Sequence, residues 1–175
     1  MRILRGSTEP DWEVELGVVI GRRTSYLNSP AEARDAIAGF LVVNDVSERT
    51  FQLERGGQWS KGKWAETFNP AGPWLATPDE IEDVLDLGLW LDVNGTRRQT
   101  GTTSEMVFDP YAIVHHLSQL MVLEPGDLID TGTRPASGWA STRRSGCGPG
   151  TWWSWHRRAR EATAARARLP VRPSS

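Results

Sequence analysis

Two glutamates one residue apart, Glu13 and Glu15, carry the first chemistry in this chain. On a strand, alternate side chains share a face, so both carboxylates point the same way, about 7 Å apart along the chain. An exposed acidic strand face would be the ordinary meaning of Glu-x-Glu. Here, however, the run continues as Gly17-Val18-Val19-Ile20, which reads as buried on both faces. Like charges beside a core repel each other and resist desolvation until a cation neutralises them. Asp45 adds a third carboxylate where the apolar run Phe40-Leu41-Val42-Val43 ends, and strand ends with their following loops are where functional groups are held. Three carboxylates in a chain with a single cysteine, Cys147, form a hard-oxygen set suited to Mg²⁺, Mn²⁺ or Ca²⁺ rather than zinc. Arg49 and Gln52 follow Asp45 at +4 and +7. On one helical turn they would share its face and offer a cation and an amide to a carboxylate or keto oxygen. An ordinary i,i+4 Asp–Arg pair on a solvated helix is the structural alternative.

The elements that must position these groups are legible up to about residue 134. Residues 12–20 read as a strand that passes from alternation to a continuous apolar run. Ser29-Pro30-Ala31-Glu32 reads as a helix start with proline in the first turn and a capping box, and the helix is expected to run to about Gly39. Leu87, Leu89, Leu91 and Val93 alternate with other residues before Asn94-Gly95, the signature of a type I′ hairpin. Asp109-Pro110 opens a helix whose apolar positions are Ile113, Val114, Leu117, Leu120 and Met121. Pro125-Gly126-Asp127 then turns the chain into a short strand, Leu128 to Thr131. The fold class is α+β, strand-dominated. Asp79-Glu80-Ile81-Glu82-Asp83 reads as a solvated acidic turn, and Gly56-Gly57 lacks the context of a phosphate loop.

At 175 residues the chain suits one domain of ordinary size. Its longest apolar runs fall far below the ~20 residues of a membrane span, and its N-terminus lacks the apolar stretch of a signal peptide. A cytoplasmic protein with no membrane partner is the expectation. Charge is unevenly spread. Of 22 acidic residues 21 lie in 1–134, against 12 of 20 basic ones, so that part is −9 and the last 41 residues are +7. From Pro135 to Arg168 there is no Val, Ile, Leu, Met or Phe, although Trp139, Trp152, Trp153 and Trp155 fall there. A segment without aliphatic residues cannot build an aliphatic core, so 1–134 is expected to be the folded domain and 135–175 a basic tail, disordered or read out of frame. A nucleic-acid-binding tail is the functional alternative.

Four blocks carry a resemblance to a known family. They are Asp11-Trp12-Glu13-Val14-Glu15-Leu16-Gly17-Val18-Val19-Ile20-Gly21; Val43-Asn44-Asp45-Val46-Ser47-Glu48-Arg49; Lys61-Gly62-Lys63 with Thr67-Phe68 and Gly72-Pro73-Trp74; and Pro125-Gly126-Asp127-Leu128 with Thr131-Gly132-Thr133. Their order and spacing resemble the fumarylacetoacetate hydrolase family, specifically its C-terminal catalytic domain, over residues 5–134. The resemblance implies a mixed β-sheet roll with a few short helices, in which Glu13, Glu15 and Asp45 hold a divalent metal, usually Mg²⁺. It also implies that Arg49, Gln52 and Thr133 contact a small oxo-acid substrate, that Lys63 is catalytic, and that the protein is a homodimer. The implied activity is hydrolysis of a C–C bond in β-diketo or 2-oxo acids. The stretch from Phe51 to Trp59 is similar to the branch of diketo-deoxy sugar-acid hydrolases and ureidoglycolate lyases. Isomerase or decarboxylase chemistry on the same site is an alternative. So is a catalytically incompetent fragment that keeps only metal and oxo-acid binding, because the family's water-activating His–Glu lid lies in a preceding segment and no histidine precedes Glu13 here. His115 and His116 read as structural, and Trp64, beside Lys63, stands where the motif carries a small residue.

Overall fold

A computed structural model describes residues 2–133 together with the backbone of 153–158. In chain order the strands and helices are β1 (Pro10–Asp11), β2 (Val14–Ile20), α1 (Pro30–Ala33), β3 (Ile37–Asn44), β4 (Ser47–Glu48), α2 (Ser60–Lys63), β5 (Ala71–Ala76), β6 (Gly88–Val93), β7 (Thr96–Thr102), α3 (Pro110–Ser118), β8 (Leu128–Asp130) and β9 (Trp153–Arg158), with short 3₁₀ turns between several of them. The fold is α+β with strands dominant, as the sequence implies.

The central sheet runs β5-β3-β2-β8 with antiparallel neighbours. The pairing of β2 with β3 sets Leu16 opposite Val42, Val18 opposite Phe40 and Glu15 opposite Val43. Directly paired residues share a face, so the sheet sorts its side chains by parity. Leu16, Val18, Ile20, Phe40 and Ile129 face a core closed by Leu27, Ala33, Val114 and Leu123 from α1, α3 and their flanking loops. Trp12, Val14 and Val42 extend that face into a second cluster with Val46, Phe68, Leu91 and Val93, against the sheet β7-β6-β9. The opposite face carries Glu13, Glu15, Gly17 and Val19 of the β2 segment with Leu41 and Val43 of β3. Gly17 is required there, since a Cβ would lie 2.6 Å from Leu41 Cδ1 and 2.8 Å from Val43 Cγ1.

Three expected elements take a different form. The helix at Ser29 ends after four residues and passes through a 3₁₀ turn at Arg34–Ala36, so the chain is already extended at Ile37. Pairing of Ile37 with Ile20 wins over helix continuation, consistent with the strand preference of β-branched residues. Ser29 makes no side-chain cap, and the Glu32 carboxylate accepts from Asn28 instead. The helix at Asp109 is capped as read, with Asp109 Oδ1 accepting from Ala112 N at 2.7 Å, but it stops at Ser118. Leu120 and Met121 are therefore exposed rather than core. The hairpin is the type I′ turn expected, with Asn94 and Gly95 both at positive φ (54° and 77°). The four acids of the acidic turn are exposed while Ile81 between them packs into the core, and Thr77 and Glu80 cap its 3₁₀ turn.

Most of the expected tail, Cys147 included, lies outside the described residues. Residues 153–158 depart from the expectation of a segment that adds no element. They pair antiparallel with the whole of β6, Gly88 opposite Arg158 through Val93 opposite Trp153. Ladder hydrogen bonds come from the backbone and need no aliphatic side chain, and tryptophan favours strands. Deleting residues 135–175 should therefore bare the β6 edge. Hydrogen exchange at the amides of 88–93 should accelerate while that at Leu16 and Val18 stays slow; unchanged exchange in β6 would show that β9 does not hold it.

Candidate active site

Asp45 reaches the carboxylate face because the chain crosses back immediately after β3: Asp45 N donates to Glu13 O at 2.9 Å, and Asn44 Oδ1 accepts from Glu13 N at 2.8 Å. One carboxylate oxygen from each of Glu13, Glu15 and Asp45 lies within 4.8 Å of the others. The three acids picked from the sequence thus converge.

Two cations come to this face. Lys63 Nζ donates to Glu13 Oε2 at 2.7 Å and also to Asp45 Oδ2. It is carried by α2, which packs so closely on the preceding turn that Gly62 is obligatory; a Cβ would lie 2.6 Å from Glu48 O and 2.7 Å from Gln52 Cβ. Trp64 does not displace it, since its ring is turned to solvent. Gln52 lies in a π-helical turn at Thr50–Glu54 with Arg49 at its N-cap, whereas Ser47–Glu48 is strand, so the helical turn expected to include Asp45 is absent. β4 forms there instead by pairing with β1. Arg49 still reaches the site: Nη2 donates to Glu13 Oε1 at 2.5 Å and to Asp11 Oδ2 at 2.8 Å, Nε to Asp11 Oδ2 at 3.0 Å, and Nη1 to Gln52 Oε1 at 2.8 Å. Among the described residues, one of its five N–H groups, on Nη1, is left for a ligand. Lys63 likewise keeps one N–H.

These contacts divide the acids. Burial alone would lift Glu13, but Lys63 and Arg49 outweigh it and hold it below the usual carboxylate range. Burial lifts Asp45 above its ordinary value despite Lys63. Glu15 is 3% exposed; burial, with Asp45, Asp130 and Glu13 nearby, pushes it up to about 8 against one hydrogen bond, from Gly132 N at 2.7 Å. It has no cationic partner among the described residues. That is the condition a hard divalent cation relieves, and the oxygen-only donor set fits one.

Sequence reasoning missed three residues. Asp11 anchors Arg49, and the Asp-x-Glu-x-Glu alternation would have found it. Asp130 sits opposite Gly17 in β8 and so on the Glu15 face; burial and the nearby Asp45 raise it to about 6, and its buried Oδ1 has no partner among the described residues. Only strand register places it there. Gln99 in β7 bonds both Val14 N, at 2.9 Å, and Thr133 Oγ1, at 3.0 Å. Thr133 in turn donates to Val14 O at 3.0 Å. His115 and His116 ride on α3, whose Val114 packs with Leu16 and Val18, so they lie on the sheet's other face.

The family model for the C-terminal domain of fumarylacetoacetate (FAA) hydrolase matches residues 1–166, well past residue 134, the end of the resemblance read from the four blocks. A protein of Burkholderia cenocepacia described as a hydrolase is 54% identical over 136 residues, 78% of this chain and 48% of its own length. The chain spans about half the length of the curated relatives it matches. Among solved structures, a 5-carboxymethyl-2-hydroxymuconate delta-isomerase from Mycobacterium smegmatis superposes with a TM-score of 0.86 at 31% identity, over 100% of this chain and 63% of that one. A 2-hydroxyhepta-2,4-diene-1,7-dioate isomerase from Mycobacterium marinum gives 0.81 at 37%, over 97% and 61%. The fumarylacetoacetate hydrolase of Exiguobacterium antarcticum gives 0.85 at 30%, over 95% and 58%. No helix among the described residues is long and apolar enough to cross a membrane. With the family model covering nearly all of it, the chain belongs to the fumarylacetoacetate hydrolase family of enzymes, in the part that forms the C-terminal domain.

Proposed function

We propose that this site binds small 2-oxo acids through a divalent metal, Mg²⁺ or else Mn²⁺ or Ca²⁺, and serves hydrolytic cleavage of a C–C bond in acylpyruvates or 2,4-diketo-3-deoxy sugar acids. The observation that carries the reading is Glu15, buried beside Glu13 and Asp45 without a cation of its own among the described residues. Glu13, Glu15 and Asp45 would hold the metal, which when bound supplies a Lewis acid that draws charge from a carbonyl and stabilises an enolate. The remaining Nη1 N–H of Arg49 and the amide N–H groups of Gln52, whose oxygen is already taken by Arg49, would orient the acid's oxygens. Lys63 holds a proton where an oxyanion would develop, and burial beside Asp45 and Glu13 keeps it charged: desolvation disfavours the ammonium, but the two carboxylates more than offset this and raise its pKa. A second reading, isomerisation of a related unsaturated oxo acid, draws on the isomerases among the similar structures and asks the same enolate stabilisation of the same residues. Neither reading finds a histidine beside the carboxylates among the described residues. Both readings also ask for a general base, worth about 10² to 10⁴ in rate.

The metal should show itself in stability. At a Mn²⁺ concentration about 100-fold above its Kd, unfolding should cost about 2.7 kcal/mol more, read as a rise in melting temperature. Asp45→Asn should lose that rise; a metal-independent melting temperature in the parent protein would contradict the proposal. Without metal the pH dependence has a defined sign. Glu15 holds a proton in the fold between its ordinary 4.5 and about 8, which the unfolded chain has released. Its contribution is therefore full below pH 4.5 and lost as pH rises through 8. The metal-free protein should melt lower at pH 8 than at pH 6, and Glu15→Gln should flatten that slope. In an acylpyruvate assay with Mg²⁺, Lys63→Ala should reduce the rate at least about tenfold while leaving oxalate affinity nearly unchanged, as expected of a group that acts on developing charge. Equal losses in both would place Lys63 in ground-state binding instead.

A further inference from the structure

Gln99 is 2% exposed and belongs to β7, a strand that contributes none of the carboxylates, yet it closes a ring of hydrogen bonds on the residue between Glu13 and Glu15. The direction of every bond in that ring is fixed by valence. Val14 N–H can only donate, so the amide atom 2.9 Å from it is Gln99 Oε1. That orientation turns Nε2 toward Thr133 Oγ1 at 3.0 Å, and an amide nitrogen can only donate, so the hydroxyl accepts. The single hydroxyl proton then goes to Val14 O at 3.0 Å, which can only accept. Among the described residues, one lone pair of Thr133 Oγ1 is left over. Gly132, the preceding residue, has its N–H on Glu15 Oε2 at 2.7 Å, which places this threonine at the margin of the carboxylate face.

We infer that Gln99 is a positioning residue for this site: it holds the Thr133 hydroxyl with its proton turned inward, so that Thr133 meets a bound ligand as an acceptor and favours a ligand oxygen that carries a proton. This rests on the oxo-acid reading above and refines it. The site would then prefer an α-hydroxy or enol form at that position over a bare carboxylate, which an oriented lone pair repels. A threonine free to rotate would instead donate to the carboxylate.

The test is calorimetric titration of the Mn²⁺-loaded full chain with glycolate, which carries an α-hydroxyl, and with oxalate, which carries none. Thr133→Val should lower glycolate affinity about tenfold, the scale of one lost hydrogen bond, while oxalate affinity holds or rises because the lone pair that repels a carboxylate is gone; Thr133→Ser should restore the parent ratio. Gln99→Leu releases the hydroxyl and should lower the glycolate-to-oxalate affinity ratio. Gln99→Glu keeps an acceptor for both Val14 N–H and the hydroxyl proton, leaves lone pairs facing outward and adds negative charge, so the ratio should rise. A purely structural glutamine would move both variants the same way. An unchanged ratio in Gln99→Leu and Thr133→Val, with melting curves showing folded protein, would overturn the inference alone. Failure of the Mn²⁺-loaded parent to bind either acid would overturn the oxo-acid reading, and this inference with it.

Discussion

Carboxylates held side by side out of water must meet positive charge or surrender their own. In this protein Glu13, Glu15, Asp45 and Asp130 share one face of a sheet whose other face is aliphatic core. Parity along β2 makes the two faces inseparable: the alternation that buries Val14, Leu16 and Val18 delivers Glu13 and Glu15 to the opposite side. The polar architecture answers that charge. Lys63 and Arg49 cover Glu13, Lys63 reaches Asp45, and Gly132 N–H covers part of Glu15. Two cations do not balance this many acids, and Glu15 carries the deficit.

The frame tolerates such a face because backbone contacts hold it rather than the acids themselves. Asp45 N on Glu13 O, Thr131 Oγ1 on Leu16 O and the Gln99–Val14–Thr133 ring pin the loops after β3 and β8 to the edge of β2. Glycine enters where these segments must approach closely, at Gly17 beneath Leu41 and Val43 and at Gly62 against the turn that carries Arg49 and Gln52. Removing one acid should therefore alter charge at the site more than it alters the path of the chain.

How far the sequence could be read follows from the range of the interactions involved. The Glu13–Glu15 pair, the apolar run that ends at Asp45 and the Asn94-Gly95 turn are local signals, and each recurs in the structure. Asp11 was legible by the same alternation. Asp130 and Gln99 were not, because their places depend on the registers of β8 against β2 and of β7 against β6, which no local pattern encodes. Propensity also misplaced the end of α1, where pairing of Ile37 with Ile20 overrides helix continuation, and the end of α3, which leaves Leu120 and Met121 exposed. Residues 153–158 mark the limit of arguing from composition. The absence of aliphatic residues speaks against a core, but the strand they add to β6 is built from backbone groups.

On the proposed function, the buried acids of this face form a cation site rather than a neutralised cluster sealed by Lys63. Anomalous diffraction from crystals of the full chain grown with Mn²⁺ addresses it directly. A cation site should give a single strong manganese peak at about 2.0–2.4 Å from oxygens of Glu13, Glu15 and Asp45, typical of hard divalent cations, with Lys63 Nζ withdrawn from at least one of its two carboxylates. Crystals at saturating Mn²⁺ that show no peak there, with Lys63 still bridging Glu13 and Asp45, would contradict it.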